Sequence, residues 1–356
     1  MSISAFDHPY LSGLIGDNDT ASWFSVDADI AAILAFESAL ARAEADQNII
    51  DSAAADAIET TCRQFLPDMA SLRAAVAIDG VVIPEFVRQL RDALAPEHRA
   101  FVHFGATSQD VIDTSLMIRL KPLPSRLDAD LAAILQGLDH LDSTFGNNSL
   151  MAHTRMQAAI AIAVRDRVAS WRAPILRHQQ RLSFLTQHFP CLQFGGAAGT
   201  LDKLGDKAPK VRSALADILG LKDLPQWHNQ RDIIVELCDL LAQISGSLGK
   251  IAQDICLLAQ GVSEISLSGG GKSSAMPHKQ NPVLAEVLVA LARFNATQVS
   301  GMHHALVHEQ ERSGAAWTLE WMILPSMVAA TAGSLRRAGE LLGAIEAFGF
   351  GTSPDA

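Results

Sequence analysis

The densest chemistry in the chain lies in fifteen residues, Ser268 to Pro282, which read SGGGKSSAMPHKQNP. A glycine run beside Lys272 and Ser273 raises a phosphate loop. However, a GxxxxGK[ST] motif ending at Gly271-Lys272-Ser273 needs its first glycine at position 266, which is Ser266. The segment before it also has the apolar spacing of a helix, where that motif follows a strand. The alternative chemistry belongs to the serine. Ser273 stands past a helix end, with Lys279 and Asn281 six and eight residues further on. A hydroxyl is a poor base alone, but a lysine, peptide N–H groups and the dipole of a following helix can stabilise its alkoxide. A plain flexible connector is the competing reading.

Four other segments carry groups of the same kind. In His103-Phe-Gly-Ala-Thr-Ser-Gln-Asp110, Thr107 or Ser108 can cap a helix running through Asp110 and Asp113 to Arg119. The N–H groups that such a cap satisfies can equally receive a carboxylate. His153-Thr-Arg-Met-Gln157 precedes Ala158 to Val164, which reads as a buried helical segment, and a lone histidine there has a structural reading. Gln226-Trp-His-Asn-Gln-Arg-Asp232 opens a long helix, with Trp227 as packing, Asp232 as cap and Arg231 as a guanidinium able to grip a carboxylate bidentately. His308-Glu-Gln-Glu-Arg-Ser313 is either a solvated helix end anchored by Trp317 or a further anion contact through Arg312 and Ser313.

Helices must position these groups. Ile234, Leu237, Leu241, Ile244, Leu248, Ile251, Ile255, Leu258, Val262 and Ile265 recur in alternating steps of three and four. That spacing predicts a rod from about Asp232 to Gly269, roughly 50 Å long at 1.5 Å per residue. Similar seams run from Leu127 to Leu141 and from Leu284 toward Met302, whereas Val81-Val82-Ile83, stopped by Pro84, is a rare β-branched run. So long a rod needs other long helices as partners, drawn from further subunits.

Composition narrows the partners. The net charge of −11, with 28 Lys+Arg against 39 Asp+Glu, argues against nucleic acid. No uncharged run reaches the roughly 18 to 20 residues of a membrane helix, so no membrane partner is expected. Cys62, Cys191, Cys238 and Cys256 form no CxxC pair and no ligand spacing, which fits reduced thiols in a cytoplasmic protein and no metal.

Ser273-Ser-Ala-Met-Pro-His-Lys-Gln-Asn-Pro282 resembles the SSxMPxKxNP signature of the fumarase/aspartase superfamily, whose members form or break a C–O or C–N bond beta to a carboxylate. Lys272 departs from it, standing where that family usually has glycine. The resemblance implies an all-α fold: a central long-helix bundle at 101–340 carrying the signature loop, a smaller N-terminal helical domain at 1–100 and a short tail at 341–356. With 44 residues after Arg312, the C-terminal domain of many members is expected to be shortened or absent. GATSQDVIDT, QFGGAAGTLDKLG, PQWHNQRD and HEQERSGAAWTLEW are most similar to the lactonising cycloisomerase branch. A fumarate-releasing lyase of the adenylosuccinate type and a non-catalytic helical assembly are the alternatives.

The same resemblance implies roles. Ser273 becomes the proton donor, aided by Lys279. Ala158 stands where some members keep a catalytic histidine, so His153 or Arg155 is the expected substitute. Thr107, Ser108, Gln109, Thr154, Gln157, Arg231, Asn281, Arg312 and Ser313 are expected to hold the carboxylates of a small polycarboxylate. Neither metal nor organic cofactor is implied, and a homotetramer with shared active sites is.

Overall fold

The computed structural model describes residues 4–260, 264–272 and 280–351. The first half is built from α1 (Ser12–Ile15), α2 (Asn18–Ser22), α3 (Val26–Asp46), α4 (Ser52–Gln64), α5 (Met69–Asp79), α6 (Ile83–Asp92), α7 (Ser108–Arg119) and α8 (Leu123–Phe145). Polar caps begin α2, α3, α5 and α7. The Ser25 hydroxyl accepts from the Ala28 N–H and the Asp68 carboxylate from those of Ala70 and Ser71, each satisfying donors that a first turn leaves free. Val81-Val82-Ile83 does not form a strand: Pro84 falls in the first turn of α6, where its missing N–H costs nothing.

A hairpin, β1 (Ser149–Thr154) and β2 (Gln157–Ala163), separates α8 from α9 (Val164–Leu185). Then come α10 (Ala208–Leu219), α11 (Asp232–Gln260), β3 (Ile265–Leu267), β4 (Gly271–Lys272), β5 (Gln280–Asn281), α12 (Val283–Ala305), α13 (Ala315–Gly343) and β6 (Ile345–Phe348). The expected long-helix bundle is present. α11 packs on α9, α12 and α13, while α8 packs on α9 and α13. The heptad residues from Ile234 to Leu258 are buried along the inner face of α11.

The rod is shorter than its apolar spacing predicts. α11 covers 29 residues, about 43 Å, and Ile265 belongs to β3, whose antiparallel partner is β6. The last heptad position thus joins a ladder rather than a helix. That ladder also ties down the end of the chain. Gly349 donates to the Glu264 carbonyl, and Phe350 exchanges backbone hydrogen bonds with Ser149, so residues 341–350 are built into the body. Trp171 of α9 stacks on Phe348 at 5.6 Å and donates to Asp254 of α11 at 2.8 Å.

Inside the bundle, Asn295 of α12 donates to Ser245 of α11 and Thr331 of α13, at 3.1 and 2.9 Å. One polar layer of this kind fixes helix register in an otherwise apolar seam. The N-terminal helices are not set apart from it: α3 packs on α4, α7 and α10, and one apolar core runs from Ile33 to Phe348. α12 alone among the described helices is long and apolar enough to cross a membrane, and it carries Glu286 and Arg293.

Candidate active site

The N-terminus of α7 is organised by one carboxylate. Asp110 is fully buried and accepts from the backbone N–H groups of Thr107, Gly195 and Gly196 at 3.0, 2.8 and 2.9 Å. It also contacts the Gln193 amide at 3.3 Å and His228 Nε2 at 2.8 Å. Five donors on two oxygens replace the water that a buried carboxylate loses. The chain achieves this by bringing two loops together. Gly196 has φ 69°, and a Cβ there would lie 2.9 Å from the Gly105 carbonyl oxygen, so only glycine fits.

One turn further, Asp113 binds Arg231. The guanidinium has no exposed surface. Its Nη1 and Nη2 donate to Asp113 at 2.7 and 3.0 Å, and its Nε and Nη2 to Glu320 of α13 at 2.8 and 2.5 Å. Its carbon Cζ also lies 4.6 Å from the centre of the Trp227 ring, and Trp317 Nε1 donates to Asp113. Burial alone would push Arg231 down, but Asp113 and Glu320 outweigh it and hold the cation above its ordinary value. Burial alone would raise Glu320, and Arg231, then His308, bring it below the usual carboxylate range. Arg231, expected to grip a substrate carboxylate, thus has each of its three nitrogens on a protein carboxylate, an arrangement that braces α7, α11 and α13.

Gln109 and Ser313 are similarly engaged. The buried Gln109 amide donates to Asp113 and to the His228 carbonyl, and its oxygen accepts from Arg312 Nε at 3.1 Å. The Ser313 hydroxyl accepts from the Ala316 N–H at the start of α13, and its bond to Glu309 holds that carboxyl below the usual range. Both residues therefore orient their neighbours. Arg312 is exposed, with Nη2 on the Ala197 carbonyl at 3.1 Å, and it joins half-buried Thr107 and Ser108 as the groups at this end that can meet an anion.

The remaining expected residues that the structure describes stand at the other end of α11. His153, Thr154, Arg155 and Gln157 form the exposed tip of the β1–β2 hairpin, where Arg155 and Met156 take φ 48° and 66° and Thr154 pairs with Gln157. The stretch Ala158–Ala163 is an exposed strand, not the buried helix its composition suggests, and His153 Nδ1 contacts only the Met151 carbonyl among the described residues. Met151 N–H reaches Glu264, just beyond α11. Asn281 pairs with Gly271, and the Lys272–Gln280 pair completes this short ladder. Ser273 and Lys279, between its strands, lie outside the described residues. One chain thus places Arg312 and α7 near the start of α11, and the hairpin and glycine loop near its end.

Among the described residues no group of three or more His, Cys, Asp or Glu side chains is placed to hold a metal. The sequence reading missed Asp110, Asp113, His228 and Glu320 as a group. A signal existed: Asp110 and Asp113 interrupt the apolar side of α7, and buried acids require partners.

A family model described as lyase matches residues 17–301. The chain is 39% identical to the 3-carboxy-cis,cis-muconate cycloisomerase of Pseudomonas aeruginosa over 91% of its own length and 72% of that protein. It is 39% identical to the cycloisomerase of the same name from Bradyrhizobium diazoefficiens, over 85% of this chain and 69% of that one. The crystal structure of the 3-carboxy-cis,cis-muconate lactonizing enzyme from Pseudomonas putida superposes with a TM-score of 0.88 at 34% identity, covering 95% of this chain and 77% of that one.

Proposed function

The chain belongs to the fumarase/aspartase family of lyases, and on that premise we propose that it closes 3-carboxy-cis,cis-muconate to 4-carboxymuconolactone. The observation that carries the reading is similarity at 39% identity, along 91% of the chain, to a relative that bears this activity in its name. The reaction belongs to the protocatechuate branch of aromatic catabolism.

One substrate carboxylate oxygen attacks an alkene carbon conjugated to a second carboxylate. The alkene electrons move onto that second carboxylate, giving an aci-carboxylate, and a proton is then delivered to the neighbouring carbon as the carboxylate re-forms. Ser273 supplies that proton, with Lys279 stabilising the alkoxide left behind. Thr107, Ser108 and Arg312 from one end of α11, and Thr154, Arg155, Gln157 and Asn281 from the other, hold the three carboxylates; Gln109 and Ser313 keep the first group in place. Preorganised donors of this kind contribute roughly 3 to 4 kcal/mol each to an oxyanionic transition state. The chemistry is electrostatic and calls for no cofactor.

The working form in this reading is a cytoplasmic homotetramer whose sites draw on several chains. Its support is the length of α11 between the two groups, about 43 Å, together with the exposed apolar surface of β2 and α12. Three of the four free thiols are buried, as suits a reducing compartment.

The test follows the ultraviolet absorbance of 3-carboxy-cis,cis-muconate with wild type and Ser273→Ala, without added cofactor. Loss of the conjugated diene band with wild type, and a rate lower by orders of magnitude in the folded variant, is the expected result. An unchanged band with wild type rejects the reaction, and near-normal turnover by the variant removes Ser273 from it.

A further inference from the structure

Glu37 and Glu44 lie seven residues apart on α3, two turns along one face, and both are buried. Glu37 Oε1 is 2.7 Å from His103 Nδ1, while its Oε2 is buried without a partner among the described residues. His103 belongs to the loop that enters α7, four residues before Thr107. Its backbone holds φ 60°, its side chain is 14% exposed, and its Nε2 makes no hydrogen bond to any described residue. A histidine needed only for packing would be served by a backbone carbonyl behind Nδ1. Here a buried carboxylate, costly to keep in a protein interior, fills that position.

We propose that His103, aimed by Glu37, binds one carboxylate of the substrate through Nε2, with Glu37 as its positioning residue. The proposal rests on the polycarboxylate substrate inferred above. It adds a second cation to Arg312 at this end, since Arg231 is committed to Asp113 and Glu320. Glu37 accepts from Nδ1–H, which leaves Nε2 as the outward nitrogen. A carboxylate arriving at Nε2 then gives the ring an acceptor on each side, and that arrangement favours the doubly protonated imidazolium. Binding therefore takes up a proton, which forms the second ring N–H bond.

The surrounding groups leave Glu37 as the main charge behind the ring. Burial, with the Glu37 charge adding to it, pushes Glu44 up to about 9, and burial pushes the Cys62 thiol of α4 up to about 12, so both are neutral at neutral pH. Glu59 of α4 is paired with Arg42 of α3 at 2.7 Å. On the α6 side, Arg91 donates to the Val102 carbonyl at 2.9 Å.

The experiment is calorimetric titration of the protein with tricarballylate, a saturated tricarboxylate that cannot lactonise, at neutral pH in two buffers of different ionisation enthalpy. Wild type is expected to bind with net proton uptake. His103→Asn, chosen because asparagine tolerates positive φ, is expected to lose that uptake and bind roughly ten- to a hundredfold more weakly. Glu37→Gln preserves shape and an acceptor, and it is expected to reduce the uptake with a smaller change in affinity. It carries the comparison if His103→Asn does not fold. Absence of binding at millimolar tricarballylate, binding of wild type without proton uptake, or unchanged uptake in the variants overturns the proposal. The diene assay with wild type, run alongside, reports separately on the cycloisomerase reading.

Discussion

Asp110 and Glu44 are equally buried, yet the chain treats the two carboxyls in opposite ways. Asp110 receives five donors, whereas neither oxygen of Glu44 has a partner among the described residues. Burial, reinforced by Glu37, raises Glu44 from 4.5 to about 9. Between those values the unfolded chain releases a proton that the folded chain keeps, so Glu44 lowers stability progressively as pH rises from 4.5 toward 9. Glu44→Gln should therefore raise the melting temperature more at pH 8 than at pH 5, with a stability difference growing by on the order of 1 kcal/mol per pH unit. Thermal denaturation of both proteins across that range checks it, and a gain independent of pH would show that Glu44 ionises in the fold. Arg231 is the converse case. Arg231→Met strands two buried carboxylates, and urea denaturation should show a loss of about 3 to 5 kcal/mol. This residue also marks how far the sequence could be read. A guanidinium before a long helix is visible, but its partners, Asp113 and Glu320, are 118 and 89 residues away in sequence. Nothing local says that they have already claimed it.

The long helices were legible because a repeating apolar step is a property of the chain itself, and Ile234 to Leu258 line the face it predicts. The hairpin was not. Ala158 to Ala163 is composed of good or tolerable helix formers, and the turn at Arg155-Met156 lacks the Asn-Gly or Asp-Gly pair that usually supplies two positive φ angles. Pairing with β1 overrode a weak local preference. The contact between α11 and α12 offers a test of what the seam requires. A Cβ at Gly249 would lie 2.4 Å from the Ala292 Cβ, whereas one at Gly246, less than a turn away, meets nothing within 4 Å. Gly249→Ala should cost roughly 1 to 3 kcal/mol by forcing the helices apart, and Gly246→Ala should gain up to about 1 kcal/mol from helix propensity. Melting temperatures moving in opposite directions are expected; equal shifts would mean that the two helices are free to separate.

At the scale of the molecule, the arrangement of functional residues sets a geometric problem. Arg312 and the α7 terminus cluster near Arg231, immediately before α11, while the hairpin and the glycine loop lie beyond Gln260 at its far end. About 43 Å of helix separates them, far more than a small polycarboxylate can bridge. Either only one group meets substrate, or neighbouring chains run so that the start of one α11 lies beside the end of another. The second arrangement is the one the shared-site proposal requires. Met156 and Ile160 on the hairpin are 71% and 67% exposed in the single chain, and under that proposal a second chain covers them. Shared sites have a consequence that single-chain sites lack. Ser273→Ala and Arg312→Ala should each abolish most turnover alone. Co-expressed, they should form mixed assemblies in which some sites take an intact Ser273 from one chain and an intact Arg312 from another. The diene assay should then recover a measurable fraction of wild-type activity. No recovery from mixed assemblies confirmed by mass would put both residues of each site on the same chain, and the two ends of α11 would have to serve different purposes.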